Sequence, residues 1–298
     1  MLGGPLLYVK RDDLTGLALG GNKTRKLEFL IAEAQANGAK TLLTTGAAQS
    51  NHCRQTAAAA ARFGFQCTLI LSGEKPDNMA GNTLLDHLLG AQIIWVEKEK
   101  RDETLQSVFN DLRESGQRPY LIPYGGSNAT GALAYAYALE ELITQHQPID
   151  WVVFASSSGG TQAGLILGVG LTQWEGQILG ISVDEPEALL RERIRDLIES
   201  GSRILNKDFN AASTPILVND DYTGAGYGMM GQPEKEAIHL FAQQEGLLLD
   251  PVYTGRAAAG LIDLIRCGYF KPTDTVVFWH TGGTPALFAS PYMNLLQR

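Results

Sequence analysis

Between Leu6 and Trp279, short runs rich in β-branched and other apolar residues alternate with longer stretches of helical periodicity, and no other feature limits the fold as much. Parallel strands cannot be joined by tight turns. Each pair needs a crossover, usually a helix, so this succession implies α/β architecture: open, twisted parallel sheets with helices on both faces. Strands are predicted at residues 6–10, 41–45, 67–71, 92–96, 118–122, 151–154, 178–183 and 275–279, and helices at 25–37, 49–63, 81–89, 101–115, 129–145, 162–171 and 185–200. The four strands from 41 to 122 are expected to form one sheet and those from Trp151 onward another, with the helix around Tyr135 as the seam. A chain of 298 residues is long enough for two such lobes, or for one domain carrying a long insertion.

Composition narrows the function classes. With 44% hydrophobic and 19% charged residues the chain has ordinary globular usage, and folding is expected. A net charge of -8 argues against nucleic acid as partner, because phosphate backbones are gripped by clustered Lys and Arg, but it leaves room for a small anion at a local site. Cys53, Cys67 and Cys267 have neither CxxC spacing nor a neighbouring His pair, so neither a disulfide framework nor a metal is expected. No stretch approaches the roughly 20 apolar residues of a membrane helix, and no signal-peptide pattern opens the chain. The expected location is cytoplasmic, with no membrane partner.

Ligands of open α/β sheets bind where strand ends meet helix starts, so the polar, glycine-marked loops there carry the information. The segment Ser156-Ser157-Ser158-Gly159-Gly160-Thr161 follows a strand and opens a helix. Its glycines let a backbone approach an anion, and a helix N-terminus offers free N–H groups and a positive dipole end. Without GxxxxGK[ST] or GxGxxG spacing it suits a single phosphate better than a nucleotide; the alternative is an ordinary capped turn. In Gly20-Gly21-Asn22-Lys23-Thr24-Arg25-Lys26, a lysine at a helix start feels an unfavourable dipole, which lowers its pKa and favours the nucleophilic amine that Schiff-base chemistry uses. A solvated basic first turn is the plainer reading. Gln49, Ser50, Asn51 and His52 either cap the helix that follows or grip a carboxylate. Three more segments, at residues 222–228, 251–256 and 279–285, place Tyr227 and Tyr253 beside glycines, where an aromatic either stacks on a flat ring or simply packs. An NAD-dependent dehydrogenase lacks support because its fingerprint is missing, and a non-catalytic small-molecule binder is the remaining rival.

Taken in order, VKRDDLTGLALGGNKTRKLEFL, GAAQSNHCRQTAAAAA and SSSGGTQAG resemble the fold type II pyridoxal phosphate enzymes of the tryptophan synthase beta-like fold, most closely the family of D-cysteine desulfhydrase and 1-aminocyclopropane-1-carboxylate deaminase. The resemblance spans nearly the whole chain. It implies pyridoxal 5'-phosphate as cofactor, a small amino acid as substrate and a homodimer. It further implies a large cofactor-binding domain of residues 1–25 and 137–298, a smaller inserted domain of 26–136, and an active site in the cleft between them. Lys23 matches the Schiff-base lysine that also moves the substrate's α-proton, and Lys26 the second lysine, near the phosphate. Ser50 matches the serine that contacts the carboxylate or carries a proton, and Asn51 the asparagine on the cofactor's phenolic oxygen. Ser158, Gly159, Gly160 and Thr161 match the phosphate loop, Tyr253 the tyrosine against the cofactor, and Tyr227 a second active-site tyrosine. His52 stands where many desulfhydrases have histidine and deaminases tend to have glutamine.

Two positions split the family. Thr254 and Thr281 stand where the deaminases carry glutamate and leucine, and Thr254 is expected to face the pyridine nitrogen, where a hydroxyl holds no charge. That favours thiol elimination from D-cysteine, to pyruvate, hydrogen sulfide and ammonia, over opening of a cyclopropane; an L-cysteate sulfo-lyase is a third substrate reading. The few residues before the first strand also lead to the expectation that a Pro-rich N-terminal segment of the family pattern is absent.

Overall fold

A computed structural model of the protein describes residues 3–146, 148–207 and 215–297. Nine strands fall into two all-parallel sheets among the described residues. The first has the order β1-β9-β6-β7-β8, formed by β1 (Leu6–Arg11), β9 (Thr275–His280), β6 (Trp151–Ser156), β7 (Gln177–Ser182) and β8 (Leu217–Asn219). The second has the order β4-β3-β2-β5, formed by β4 (Gln92–Val96), β3 (Gln66–Ser72), β2 (Thr41–Ala47) and β5 (Pro119–Leu121).

Period-2 alternation explains why both faces of the larger sheet are covered. On β9, Val277 and Trp279 enter one core while Val276 and Phe278 enter the other; on β6, Val152 and Phe154 divide from Val153 and Ala155 in the same way. Against the first face lie α5 (Ala129–Gln145), α6 (Gly160–Thr172) and α7 (Glu187–Leu205); against the second lie α8 (Gln232–Glu245), α9 (Thr254–Arg266) and α10 (Ser290–Leu296). The smaller sheet has its own core, in which Leu27, Leu30 and Ile31 of α1 (Lys23–Ala36) and Ala57 and Ala60 of α2 (Asn51–Phe63) meet Leu42, Leu69 and Leu71. The helices α3 (Asn82–Leu88) and α4 (Arg101–Glu114) complete this lobe.

Two helices tie the lobes together. α1 packs on α5, and its Arg25 reaches Asp12 at 2.9 Å and Glu141 at 2.9 Å, while Tyr135 donates to the other oxygen of Asp12. Around Tyr135 the chain is a continuous helix that buries Leu133, Tyr135 and Leu139 in the larger core. The predicted strands and helices are present, with ends shifted by up to a few residues. Helix starts move earliest where glycine or lysine precedes the apolar pattern: α1 begins at Lys23 and α6 at Gly160. Residues 251–256, read as a polar turn, instead run into the first turn of α9. No described helix is long and apolar enough to cross a membrane.

Candidate active site

Strand ends from both sheets open onto one cleft, lined by Lys23, Ser50, Asn51, His52, Ser158, Gly159, Thr161, Tyr253 and Thr281. Lys23 is the first residue of α1 and stands half-buried there. Its amine is pushed down to about 8. The direction is the one expected from its place at a helix start, and the cause the structure shows is burial, which disfavours the ammonium.

Across the cavity, β6 ends in the turn that opens α6. Gly159 occupies the N-cap with a φ of +80°, a left-handed geometry that glycine adopts without steric cost. Ser158 hydrogen bonds Ser127 through their hydroxyls at 2.7 Å, and Asn22 donates to the Thr161 hydroxyl at 3.2 Å. A Cβ on Gly160 would come within 2.5 Å of Ser127 Oγ and 3.0 Å of Lys26 Nζ, so only a bare backbone leaves this concavity open. Lys26 itself is fully buried and donates to the Gly125 carbonyl at 3.2 Å and to Ser127 Oγ at 3.0 Å. Burial and the nearby Lys23 charge push its amine well below the ordinary range.

The third wall is the start of α2. Ser50 is its N-cap, the side chain accepting from the Cys53 N–H at 3.2 Å, so the capping role and a place on the pocket coexist. Asn51 accepts from Asn82 at 2.9 Å. His52 is buried, with Nε2 2.9 Å from the Thr44 hydroxyl; because that hydroxyl donates to the Ile122 carbonyl, Nε2 must carry the proton. Burial and the Lys23 and Lys26 charges push its pKa well below the usual value, so the ring is neutral and Nδ1 is a bare acceptor without a partner.

Tyr253 closes the fourth side, its phenol 2.6 Å from that of Tyr227, which stands behind it rather than on the cavity wall. Burial keeps both phenols protonated, well above 10. Arg256 fixes the loop bearing Tyr227 by donating to the carbonyls of Gly226 and Met229 and pairing with Glu234 at 2.8 Å. Thr281 lines the cavity and its carbonyl accepts from the Asn22 N–H at 3.0 Å. Thr254 stands behind the cavity lining, its hydroxyl donating to Asp250 Oδ1 at 2.8 Å and accepting from the Asp250 N–H at 2.8 Å. Asp250 also receives the N–H groups of Val252, Tyr253 and Thr254, and thereby sets the turn that presents Tyr253.

Some site residues escaped the sequence reading. Tyr124 and Gly125 line the cavity and Ser127 supports Lys26, all within a glycine-marked turn between β5 and α5. The signal was the one used elsewhere, a polar strand-to-helix loop, and Pro123-Tyr124-Gly125-Gly126-Ser127 had it. Asp250 could have been found as an Asp four residues ahead of a threonine at a helix start.

A half-buried lysine with a lowered pKa thus shares one cleft with a glycine anion cradle. The model of the family described as "Pyridoxal-phosphate dependent enzyme" matches residues 1–282. The chain belongs to this family. A crystal structure of an ACC deaminase homologue is 34% identical, with a TM-score of 0.90, covering 98% of this chain and 88% of that one. A hydrogen sulfide-producing enzyme from Fusobacterium nucleatum is 15% identical over 96% of this chain and 93% of its own, TM-score 0.65. An L-serine ammonia-lyase from Rhizomucor miehei is 15% identical over 98% and 92%, TM-score 0.69. At that identity the last two share the fold alone. The architecture is that of the fold type II pyridoxal phosphate enzymes.

The residues of this pyridoxal phosphate enzyme fit the cofactor. Among the described residues Lys26 has no carboxylate partner, so the charged form of its buried amine would be favoured only by an anion in the adjacent cradle. His52 Nδ1 and Ser156 Oγ, both on residues lining the cavity, have no protein partner and suit a ligand rich in polar groups.

Proposed function

We propose that the protein removes hydrosulfide from the β-carbon of D-cysteine, so that D-cysteine and water give pyruvate, ammonia and hydrogen sulfide. What supports this reading most is the single cavity in which the Lys23 amine, lowered to about 8, faces both the α2 N-terminus and the glycine cradle of α6. Pyridoxal phosphate, when bound, supplies the electron sink that stabilises negative charge at a substrate's α-carbon. The backbone N–H groups at Gly159 and Gly160, the hydroxyls of Ser158 and Thr161, and Lys26 would hold its phosphate. Lys23 would carry the cofactor and take the α-proton, a task for which an amine near neutrality is matched. Free N–H groups at the start of α2, with Ser50 and Asn51, orient the substrate carboxylate, and neutral His52 offers an acceptor rather than a charge. The Tyr227 and Tyr253 pair holds protons that the departing sulfur can take up.

With the Thr254 hydroxyl held by Asp250, the position brings no carboxylate to the ring, in keeping with a thiol leaving group that needs no further activation. A second reading, deamination of 1-aminocyclopropane-1-carboxylate to 2-oxobutyrate and ammonia, draws on the 34% identity to an ACC deaminase homologue. A panel of D-cysteine, L-cysteine, L-cysteate and the cyclopropane amino acid, scored for sulfide, sulfite, pyruvate, 2-oxobutyrate and ammonia with cofactor-loaded protein, tests both. Sulfide and pyruvate from D-cysteine at the highest kcat/KM are expected; 2-oxobutyrate as the dominant product would replace this reading with the second. The reading includes a homodimer, to which the exposed Leu6 and Tyr8 on edge strand β1 would contribute, and light scattering on the eluting peak measures it.

A further inference from the structure

The segment leading into Lys23 has an unusual backbone. Leu17, Ala18 and Leu19 have φ of +34°, +49° and +69°, and Gly16, Gly20 and Gly21 on either side are also positive. Six consecutive left-handed residues, three of them with side chains, do not persist on their own preference, because Cβ collides with the neighbouring carbonyl there. Part of the restraint is internal, from the Gly21 N–H to the Asp12 carbonyl at 2.8 Å. The Thr15 hydroxyl also donates to the Gly21 carbonyl at 3.1 Å and accepts from the Gly21 N–H at 3.0 Å, and the Gly20 N–H donates to the Gly16 carbonyl. A second set of restraints comes from α2. Arg54, completely buried, donates through Nη1 to the Ala18 carbonyl and through Nη2 to the Gly20 carbonyl at 3.1 Å. Gln55 beside it donates to the Thr24 hydroxyl at 2.6 Å, one residue beyond Lys23.

A buried guanidinium is costly unless its surroundings are built for it. The carboxylates that act on Arg54 are Asp86, from α3 in the smaller lobe, and Asp250, which sets the Tyr253 turn in the larger one. Even so, burial lowers its pKa to about 10. Its Nε has no partner among the described residues.

We propose that Arg54 is a positioning residue, its guanidinium clamping the left-handed turn through the carbonyls of Ala18 and Gly20 so that the Lys23 amine is held inside the cavity opposite Tyr253. This rests on Lys23 being the reacting amine, not on which amino acid is the substrate. Lys26 and His52 are the ionisable groups whose charges couple to Lys23, and neither touches Arg54.

Competitive labelling with trace acetic anhydride across pH 6–11 on the full-length chain freed of cofactor, read by peptide mass spectrometry with exposed Lys40 as internal standard, measures the Lys23 titration directly. The wild-type midpoint is expected near 8. In Arg54→Met the midpoint should move toward the ordinary lysine value of about 10.4 as the turn loosens and solvent reaches the amine, with Lys40 unchanged. Adding Leu17→Gly, Ala18→Gly and Leu19→Gly to Arg54→Met, which removes the steric cost of the turn, should return the midpoint toward wild type. A folded Arg54→Met chain whose Lys23 titrates as in wild type overturns the proposal. Should that variant not fold, Arg54→Lys, able to reach only one of the two carbonyls, is expected to give an intermediate midpoint, and an unmoved one overturns the proposal equally. Failure of D-cysteine turnover with the labelling pattern as expected faults the substrate reading and leaves this one standing.

Discussion

At the scale of single residues the chemistry follows from how burial treats charge. Lys23 is an exposed-type residue made reactive by the cleft, and Lys23→Ala is expected to abolish turnover and with it any visible absorbance that borohydride bleaches. Its shift has a sign. Since the folded amine titrates near 8 rather than 10.5, the unfolded chain binds more protons between those values, and stability should rise with pH through that window. Asp86 behaves oppositely. Both its oxygens are buried without a partner, and desolvation raises its carboxyl to about 8 from 3.8, so the folded state binds more protons between those values and stability falls as pH rises toward 8. Asp86→Asn should flatten that fall, on the order of 2–4 kcal/mol, in melting curves from pH 5 to 9. The direction of the Lys23 shift was legible in the sequence but its desolvation was not, and Asp86 went unnoticed, because desolvation depends on neighbours distant in the chain.

At the scale of elements, the site is a set of helix starts aimed at one point. Gly160→Ala should crowd Ser127 Oγ and Lys26 Nζ, at 2.5 and 3.0 Å, and weaken cofactor binding about tenfold or more, read by fluorescence titration, while leaving the α-helix itself favoured. The βα alternation was readable because apolar periodicity reports strand and helix locally. Helix starts were less so: Gly160 is a poor signal by propensity, and tertiary packing admits it to the helix. The short β8 and the helix α9 behind Tyr253 went unread, the first for its three-residue length and the second because glycine and threonine at its start look like a turn.

At the scale of the whole molecule, two parallel sheets joined through α1 and α5 make a cleft whose walls come from both lobes. A ligand that binds there only in the folded state should raise the melting temperature, by about 2.7 kcal/mol of stability at a concentration one hundred times its dissociation constant. Calorimetry with and without pyridoxal phosphate checks this, and the Gly160→Ala variant should show a smaller shift. Elsewhere in the larger lobe, Arg256 and Glu234 form a buried pair that also anchors the Tyr227 loop. Glu234→Ala leaves that guanidinium uncompensated and should cost about 3–5 kcal/mol, measured by urea unfolding.

The sequence by itself determined the architecture class, since apolar periodicity is a local signal, and it marked the polar, glycine-bearing loops at strand ends; Lys23 stood out among them through the family resemblance of its motif. Only the tertiary structure decided that Thr254 turns to Asp250, that Tyr227 stands behind Tyr253, and that Arg54 reaches back to the turn before Lys23. Those facts depend on which hydrogen-bond partner lies nearest across a packed interface, and distance in space is not a function of distance along the chain.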